Sequence, residues 1–237
     1  MRRIAAVLAG HFVICGLAVA AAEDLPYPGD PATGDSMVPD TYIALRGSLT
    51  FDGKGANITV PTTPAATSLR PSHAIGGGAA IAIGAKLPYG FRIEAEGVYR
   101  KKPVQSVNLG GVVTPASGFI NTAAPMANLI WAPKFDGMPI RPMIGGGAGM
   151  AYTQSRINDP IGGTTYLQNA GWHFAYQGMA GLEIPVLPGA AITAQYRWMH
   201  TDNVTGRCGI GGAATLNCTK IGFNDQSVDL GRNNALN

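Results

Sequence analysis

The sequence predicts an all-β fold, an eight-stranded antiparallel up-and-down β-barrel that crosses a membrane on its strands. Three observations predict it. In residues 91–100, Phe91, Ile93, Ala95, Gly97 and Tyr99 share one parity, and Arg92, Glu94, Glu96, Val98 and Arg100 share the other. That is the period of a strand, with one apolar and one charged face. Seven further segments show the same alternation, and the connections between the eight alternate long and short. Aromatic residues collect at both ends of the apolar faces. A soluble sandwich would turn the apolar parity to a core. A membrane barrel turns it to lipid and the charges to a small interior.

Composition limits the alternatives. Charged residues make up only 13% of the 237 residues, and there are 33 glycines. Few charges and many glycines disfavour a long-helix protein and a nucleic-acid binder. The balance of 17 basic to 14 acidic residues is +3; without Arg2 and Arg3 it is 15 to 14, or +1. Residues 1–22 read as a secretory signal peptide: a basic start, an apolar run from Ile4, and Ala20-Ala21-Ala22 before Glu23. An uncleaved anchor helix is the alternative. Cys15 lies inside that run. Residues 23–39, rich in Pro, Gly and Asp, read as a flexible periplasmic lead-in, and residues 40–237 as the barrel.

The strands follow in order. Strand one, 41–51, sets Ile43, Leu45, Leu49 and Phe51 against Arg46 and Ser48. A long loop spans 52–72. Strand two, 73–87, sets Ile75, Ile81, Ile83 and Leu87 against Gly76, Gly78, Ala80, Ala82, Gly84 and Lys86. A nearly all-small inner face suits a narrow barrel that must admit bulky partners from other strands. After the turn at Pro88-Tyr89-Gly90 comes strand three, 91–101, then a loop over 102–117. Strand four, 118–132, turns Ala127, Leu129 and Trp131 outward, with a bulge expected at Pro125. Strand five, 140–154, turns Ile140, Ile144, Ala148, Met150 and Tyr152 outward and Arg141, Gly145, Gly147 and Gly149 inward. Beyond a loop at 155–170, strand six, 171–184, alternates Trp172, Phe174, Tyr176, Leu182 and Ile184 with His173, Gln177, Met179 and Glu183. Strand seven, 190–201, alternates Ile192, Ala194, Tyr196 and Trp198 with Thr193, Gln195 and Arg197. After a loop at 202–224, strand eight, 225–235, sets Val228 and Leu230 against Ser227 and Asp229.

Membrane barrels of bacteria have long outer loops and short periplasmic turns, which this alternation matches. Tyr42, Tyr89, Phe91 and Trp131 fall at the short-turn end, and Phe51, Tyr99, Phe119, Tyr152, Trp172 and Trp198 at the other. Two such belts are expected at two membrane interfaces. The motifs Ala22-Glu-Asp-Leu-Pro-Tyr-Pro28, Phe91-Arg-Ile-Glu-Ala-Glu-Gly-Val-Tyr-Arg100, Ile140-Arg-Pro-Met-Ile-Gly-Gly-Gly-Ala-Gly149, Phe174-Ala-Tyr-Gln-Gly-Met-Ala-Gly-Leu-Glu183 and Ser227-Val-Asp-Leu-Gly231 succeed one another. In this order they resemble the opacity-type, porin-like surface proteins of Gram-negative bacteria, over roughly residues 40–232. The resemblance implies an eight-stranded outer-membrane barrel similar to the membrane domain of outer membrane protein A. That family usually closes on Gly-x-Arg-Tyr-x-Phe, whereas this chain reads Gly231-Arg-Asn-Asn-Ala-Leu-Asn237.

The candidate chemistry is sparse. His73, His173 and His200 fall near the long-loop ends of three strands. Neither a metal site nor a nucleophile with its base is indicated, and rim polarity is the simpler reading. No catalytic residue, metal or cofactor is therefore expected. The inward parity collects six cations, Arg46, Lys86, Arg92, Arg100, Arg141 and Arg197, and four acids, Glu94, Glu96, Glu183 and Asp229. In a low-dielectric interior they must pair; a selectivity ring in a narrow pore is the alternative. The expected function is that of a non-enzymatic surface protein serving envelope integrity and surface presentation. A small solute-conducting porin and a soluble lipocalin-like barrel are the rivals. Expected partners are outer-membrane lipid, lipopolysaccharide and the assembly machinery, with no nucleic acid; no extracellular ligand can be named from the residues.

Cys208 and Cys218 lie ten residues apart in the last long loop, with Gly209, Gly211 and Gly212 between them. Exposed to an oxidising exterior, they would close a disulfide rather than remain two free thiols. Non-reducing peptide mapping of envelope-purified protein is expected to recover one linked peptide. Two freely alkylated thiols would contradict this.

Overall fold

The computed structural model of the protein describes residues 40–52, 58–60, 67–159, 165–208 and 216–235, and within these the side chains of 52, 58–60, 67–68, 165–166, 203–206, 208 and 216–224 lie outside the description. The signal-peptide and lead-in readings, 1–22 and 23–39, fall outside it as well.

Ten strand segments form one antiparallel sheet: β1 Thr41–Asp52, β2 Ile58–Val60, β3 Thr67–His73, β4 Gly76–Lys86, β5 Phe91–Leu109, β6 Val112–Trp131, β7 Arg141–Asn158, β8 Thr165–Leu187, β9 Ala190–Cys208 and β10 Leu216–Ala235. β4 and β3 follow each other along the same edge of β5, and β1 and β2 along the same edge of β10. The ten segments are therefore eight staves. β1 pairs with β10 from Tyr42↔Ala235 to Asp52↔Asp225, which closes the ring and leaves no open sheet edge.

Parity decides which face each residue takes. On β5 the burial pattern alternates without a break from Phe91 to Gln105. Leu45, Ile81, Ile83, Ile93, Leu129, Ile144, Leu182 and Leu230 are exposed on the outside, while Arg46, Arg92, Glu94, Glu96, Arg197 and Asp229 are buried inside. This inside-out distribution is that of a barrel solvated by lipid. A lipocalin-like barrel would carry its apolar face inside, so that alternative fails. Among the described residues no helix is long and apolar enough to cross a membrane.

The ends differ from the sequence expectation. The segment 102–117 is not a loop: β5 and β6 run on as a hairpin to a two-residue turn, Gly110-Gly111, both at positive φ. Strands likewise extend through most of 155–170 and into both ends of 202–224, and β2 and β3 occupy part of 52–72. The physical reason lies in the solvent. Beyond the bilayer a strand needs no apolar outer face, so Lys101, Pro103 and Gln105 point outward while pairing continues. At the other end the connections are tight. Leu87 donates its N–H to the Phe91 carbonyl at 2.8 Å, and the turn needs Tyr89 and Gly90 at positive φ. A Cβ on Gly90 would stand 2.9 Å from the Ala132 carbonyl oxygen.

Pro125 makes no bulge. It pairs with Gly97 in unbroken β5–β6 register, and the β6–β7 ladder omits Ala124 and Pro125 without shifting. Pro lacks the N–H that the β7 side would use, and the register absorbs the loss. Tyr42 is a second correction. It is not part of the aromatic belt; with the parity of Arg46 it points inward and is 1% exposed. Phe91 and Trp131 do form a belt pair, with ring centroids 6.5 Å apart, and Tyr152 and Trp172 pair at 5.5 Å toward the hairpin end.

Ile83 pairs with Ala95, midway between Phe91 and Tyr99 on β5, and is 55% exposed. Ile83→Arg is expected to destabilise the barrel by about 2–4 kcal/mol, the cost of a cation at the bilayer midplane. Reversible denaturant unfolding in lipid vesicles measures it; an unchanged midpoint would place this face out of lipid.

Candidate functional site

The interior is built on β5. Its inward residues, read from the Pro88 end, are Arg92, Glu94, Glu96, Val98, Arg100 and Lys102, and all six are buried. Strand alternation makes this column, and neighbouring staves supply its partners. Small residues opposite the long ones make room. A Cβ on Gly84 would meet the Tyr42 ring at 2.5 Å, one on Gly231 would meet Arg46 Cγ at 2.6 Å, and one on Gly147 would collide with Asn128 Oδ1.

Glu96 is the centre. Arg197 from β9 donates Nη1 to Glu96 Oε2 at 2.8 Å and Nη2 to Oε1 at 2.9 Å, a two-pronged pair. Arg46 from β1 donates Nη1 to the same Oε1 at 2.9 Å and Nη2 to Glu94 Oε1 at 2.7 Å. Asn128 and Gln177 add amide donors to Glu96 Oε2 at 2.8 and 3.2 Å. Arg197 Nε lies 2.9 Å from Asp229 Oδ2, and Asp229 also accepts from Gln195 Nε2 at 3.2 Å and Ser227 Oγ at 2.9 Å. Tyr42 donates its hydroxyl to Glu94 Oε1 at 2.6 Å. Six staves thus meet across the lumen in one connected set of ion pairs and amides.

Two further groups flank it. Toward Pro88, Glu183 accepts from Arg92 at 2.5 and 2.7 Å, from Asn233 Nδ2 at 3.1 Å and from Arg141 Nη1 at 3.4 Å. Toward the hairpins, Lys102 Nζ donates to Asp225 Oδ1. Between the levels lie apolar patches: Val98 with Ala124, Met126, Ala151 and Ala175, and Ile130 with Ala132, Met143 and Met179.

Eight of the ten charges expected in the lumen, namely Arg46, Arg92, Glu94, Glu96, Arg141, Glu183, Arg197 and Asp229, are brought together. The other two are corrections. Lys86 stays half-buried at the Pro88 end, 3.9 Å from the Asp40 carboxylate. Arg100 is buried inside but takes no hydrogen-bond partner. Sequence reasoning misses the Lys102–Asp225 pair because it ends the strand at 101; the parity of β5, continued to the next inward position, finds it. It misses Tyr42, Asn128, Gln177, Gln195, Ser227 and Asn233 because a search for charges passes over neutral donors.

The histidines do not converge. His200 lies on the outer face against Trp198 and Tyr176, whereas His173 has the inward parity of Gln177. Among the described residues no group of three or more His, Cys, Asp or Glu is placed to hold a metal. Cys208 pairs in register with Leu216 and Cys218 with Gly206, so the cysteines are diagonal neighbours on β9 and β10. Diagonal Cα atoms stand roughly 7–8 Å apart, beyond the span a disulfide bridges without backbone movement. Their side chains lie outside the described residues.

Glu96→Ala would leave Arg46 and Arg197 facing each other across the lumen. The expected loss is about 3–5 kcal/mol if the site is dry, and less if water enters. Unfolding of the variant in lipid vesicles, compared with wild type, reads the difference. A neutral substitution would show that the guanidinium groups do not depend on this carboxylate.

The whole-chain comparisons agree with this architecture. No family model matches the chain. An outer membrane protein of Gluconacetobacter diazotrophicus is 31% identical over 127 residues, which covers 49% of this chain and 33% of that protein. The chain therefore spans about a third of the length of the curated relative it matches. Among solved structures, the outer membrane protein OprG from Pseudomonas aeruginosa superposes with a TM-score of 0.59 at 12% identity, covering 84% of this chain and 96% of that one. A major outer membrane protein from Thermus thermophilus superposes with a TM-score of 0.51 at 9% identity, covering 83% and 99%. At such identities the structures speak for the fold alone. Fold, surface and relative agree: the chain is an eight-stranded β-barrel of the outer membrane.

Proposed function

We propose that this protein is a structural component of the outer membrane, serving envelope integrity and surface presentation, with a lumen plugged by charge pairs. The observation that carries this reading is Glu96 held from two staves at once, by Arg46 on β1 and Arg197 on β9. An eight-stranded barrel is only wide enough for side chains to fill it. Here the filling is a connected set of ion pairs with apolar layers between, rather than a lined passage. Opening a channel would mean separating dry guanidinium–carboxylate pairs, each of which costs several kcal/mol once single.

The outer surface supports the lipid partners. Aliphatic side chains cover the wall. Toward the hairpin end Lys101, Arg156 and Arg207 are exposed, with Lys101 Nζ 5.7 Å from the Phe119 ring centre. Cations beside an aromatic belt suit the phosphates of lipopolysaccharide. The hairpin arms would then be the surface-presented part, and the assembly machinery of the outer membrane the route of insertion. No catalytic role is part of this reading, since each buried interior acid is bound to a cation.

Single-channel recording in a planar bilayer tests it. Pure wild-type protein is expected to show no large, stable openings. Porin-sized steps would overturn the plugged lumen and favour a solute-conducting pore.

A further inference from the structure

We propose that the lumen holds a small monovalent anion, of the chloride class, against Arg100. Arg100 is 1% exposed, and its Nε, Nη1 and Nη2 all lack a hydrogen-bond partner. A guanidinium carries five donors and keeps its charge at every physiological pH. The other buried cations of the lumen each have an acid at hand: Arg46 has Glu94 and Glu96, Arg92 has Glu183, Lys102 has Asp225, and Arg197 has Glu96 and Asp229. The buried cations among the described residues are Arg46, Arg92, Arg100, Lys102 and Arg197, with Arg141 half-buried beside Glu183. The buried acids are Glu94, Glu96, Glu183, Asp225 and Asp229. Among these buried cations the one whose guanidinium has no hydrogen-bond partner is Arg100.

The acids whose field reaches Arg100 are Asp225, Asp229 and Glu96, and Arg197 repels it. Each of the three acids is already bound to another cation. Below Arg100 on β5 lies Val98, within the apolar patch of Ala124, Met126, Ala151 and Ala175. On the same inner wall the register runs from Arg100 to Thr122 and on to Thr153. Thr153 Oγ1, Ser155 Oγ and Thr50 Oγ1 are buried and likewise without partners. The guanidinium itself is a set of buried donors with no acceptor supplied. Water would serve the hydrogen bonds but leave the charge. A monovalent anion serves both, whereas a divalent one would leave a net negative charge beside the guanidinium. The inference goes beyond the plugged-lumen reading and does not depend on it, because a bound ion needs no conducting path.

The test uses the full chain in lipid nanodiscs. Its thermal unfolding is followed while chloride replaces gluconate, an anion too large for the lumen, at constant ionic strength. A ligand that binds only the folded state raises the midpoint as its concentration rises. The wild-type midpoint is expected to climb with chloride, Arg100→Met to be flat, and Thr153→Val to need more chloride for the same shift. Crystals soaked in bromide are expected to show an anomalous peak within hydrogen-bond reach of Arg100. Superimposable chloride and gluconate curves in wild type would overturn the proposal, leaving water as the occupant. So would a chloride dependence that survives in Arg100→Met, which would place the ion on the surface. Should Arg100→Met fail to fold, Thr153→Val decides: a chloride dependence identical to wild type overturns the site.

Discussion

The pairing of guanidinium with carboxylate inside a closed ring is the interaction on which this molecule depends. Lipid outside requires the residues that face it to be apolar, so within the membrane band the strand period sends the charges inward. Closure at eight staves makes the inner space too small for bulk water. Arg46 and Arg197 must then find their carboxylates inside, and Glu96 serves both. The two-pronged contact of Arg197 with Glu96 fixes β9 against β5, and the fork of Arg46 over Glu94 and Glu96 fixes β1. Side-chain geometry and stave position are therefore one constraint.

Most of this is legible in the residues because one rule, period two, governs both faces. The outward Ile81, Ile83, Leu129 and Ile144 and the inward Arg46, Glu94, Glu96 and Arg197 follow from counting alone. What is not legible has a physical cause in each case. The hairpin arms past Tyr99 carry no lipid-facing apolar set, so their pairing leaves no hydropathic trace. Tyr42 suits a belt by residue type although its parity is inward; an aromatic ring with a hydroxyl serves either environment, and only the backbone decides. Pro125 looks like an interruption, yet a ladder survives a missing donor when the next pairs keep register. Arg100 groups with its neighbours because parity reports which face a charge takes and says nothing about whether an acid stands opposite.

The glycines share in the same design. Gly84, Gly147 and Gly231 sit where Tyr42, Asn128 and Arg46 lie across the strand. Their lack of a side chain is what allows long polar groups to lie flat against the wall and reach the centre. An interior of uniformly medium side chains would fill the same volume without bringing donors and acceptors into contact. The alternation of small and large inward residues is thus a device for charge pairing as much as for packing.

The sequence separation of these contacts has a consequence for how the barrel forms. Arg197 and Glu96 stand 101 positions apart, and Arg46 and Glu96 stand 50 apart. No hairpin alone contains either pair: the β9–β10 hairpin offers Arg197 only Asp229, and β1 with β4 and β5 offers Glu96 only Arg46, so a partly assembled sheet leaves the network incomplete. Such a sheet keeps its charged face in water and resists entry into lipid. The last strand pairing, β1 with β10, shuts the lumen and brings the charges together in the same step. Folding dominated by contacts this remote in sequence is slow. Closure, dehydration and membrane entry should therefore behave as one late, cooperative event, with few stable stages before it.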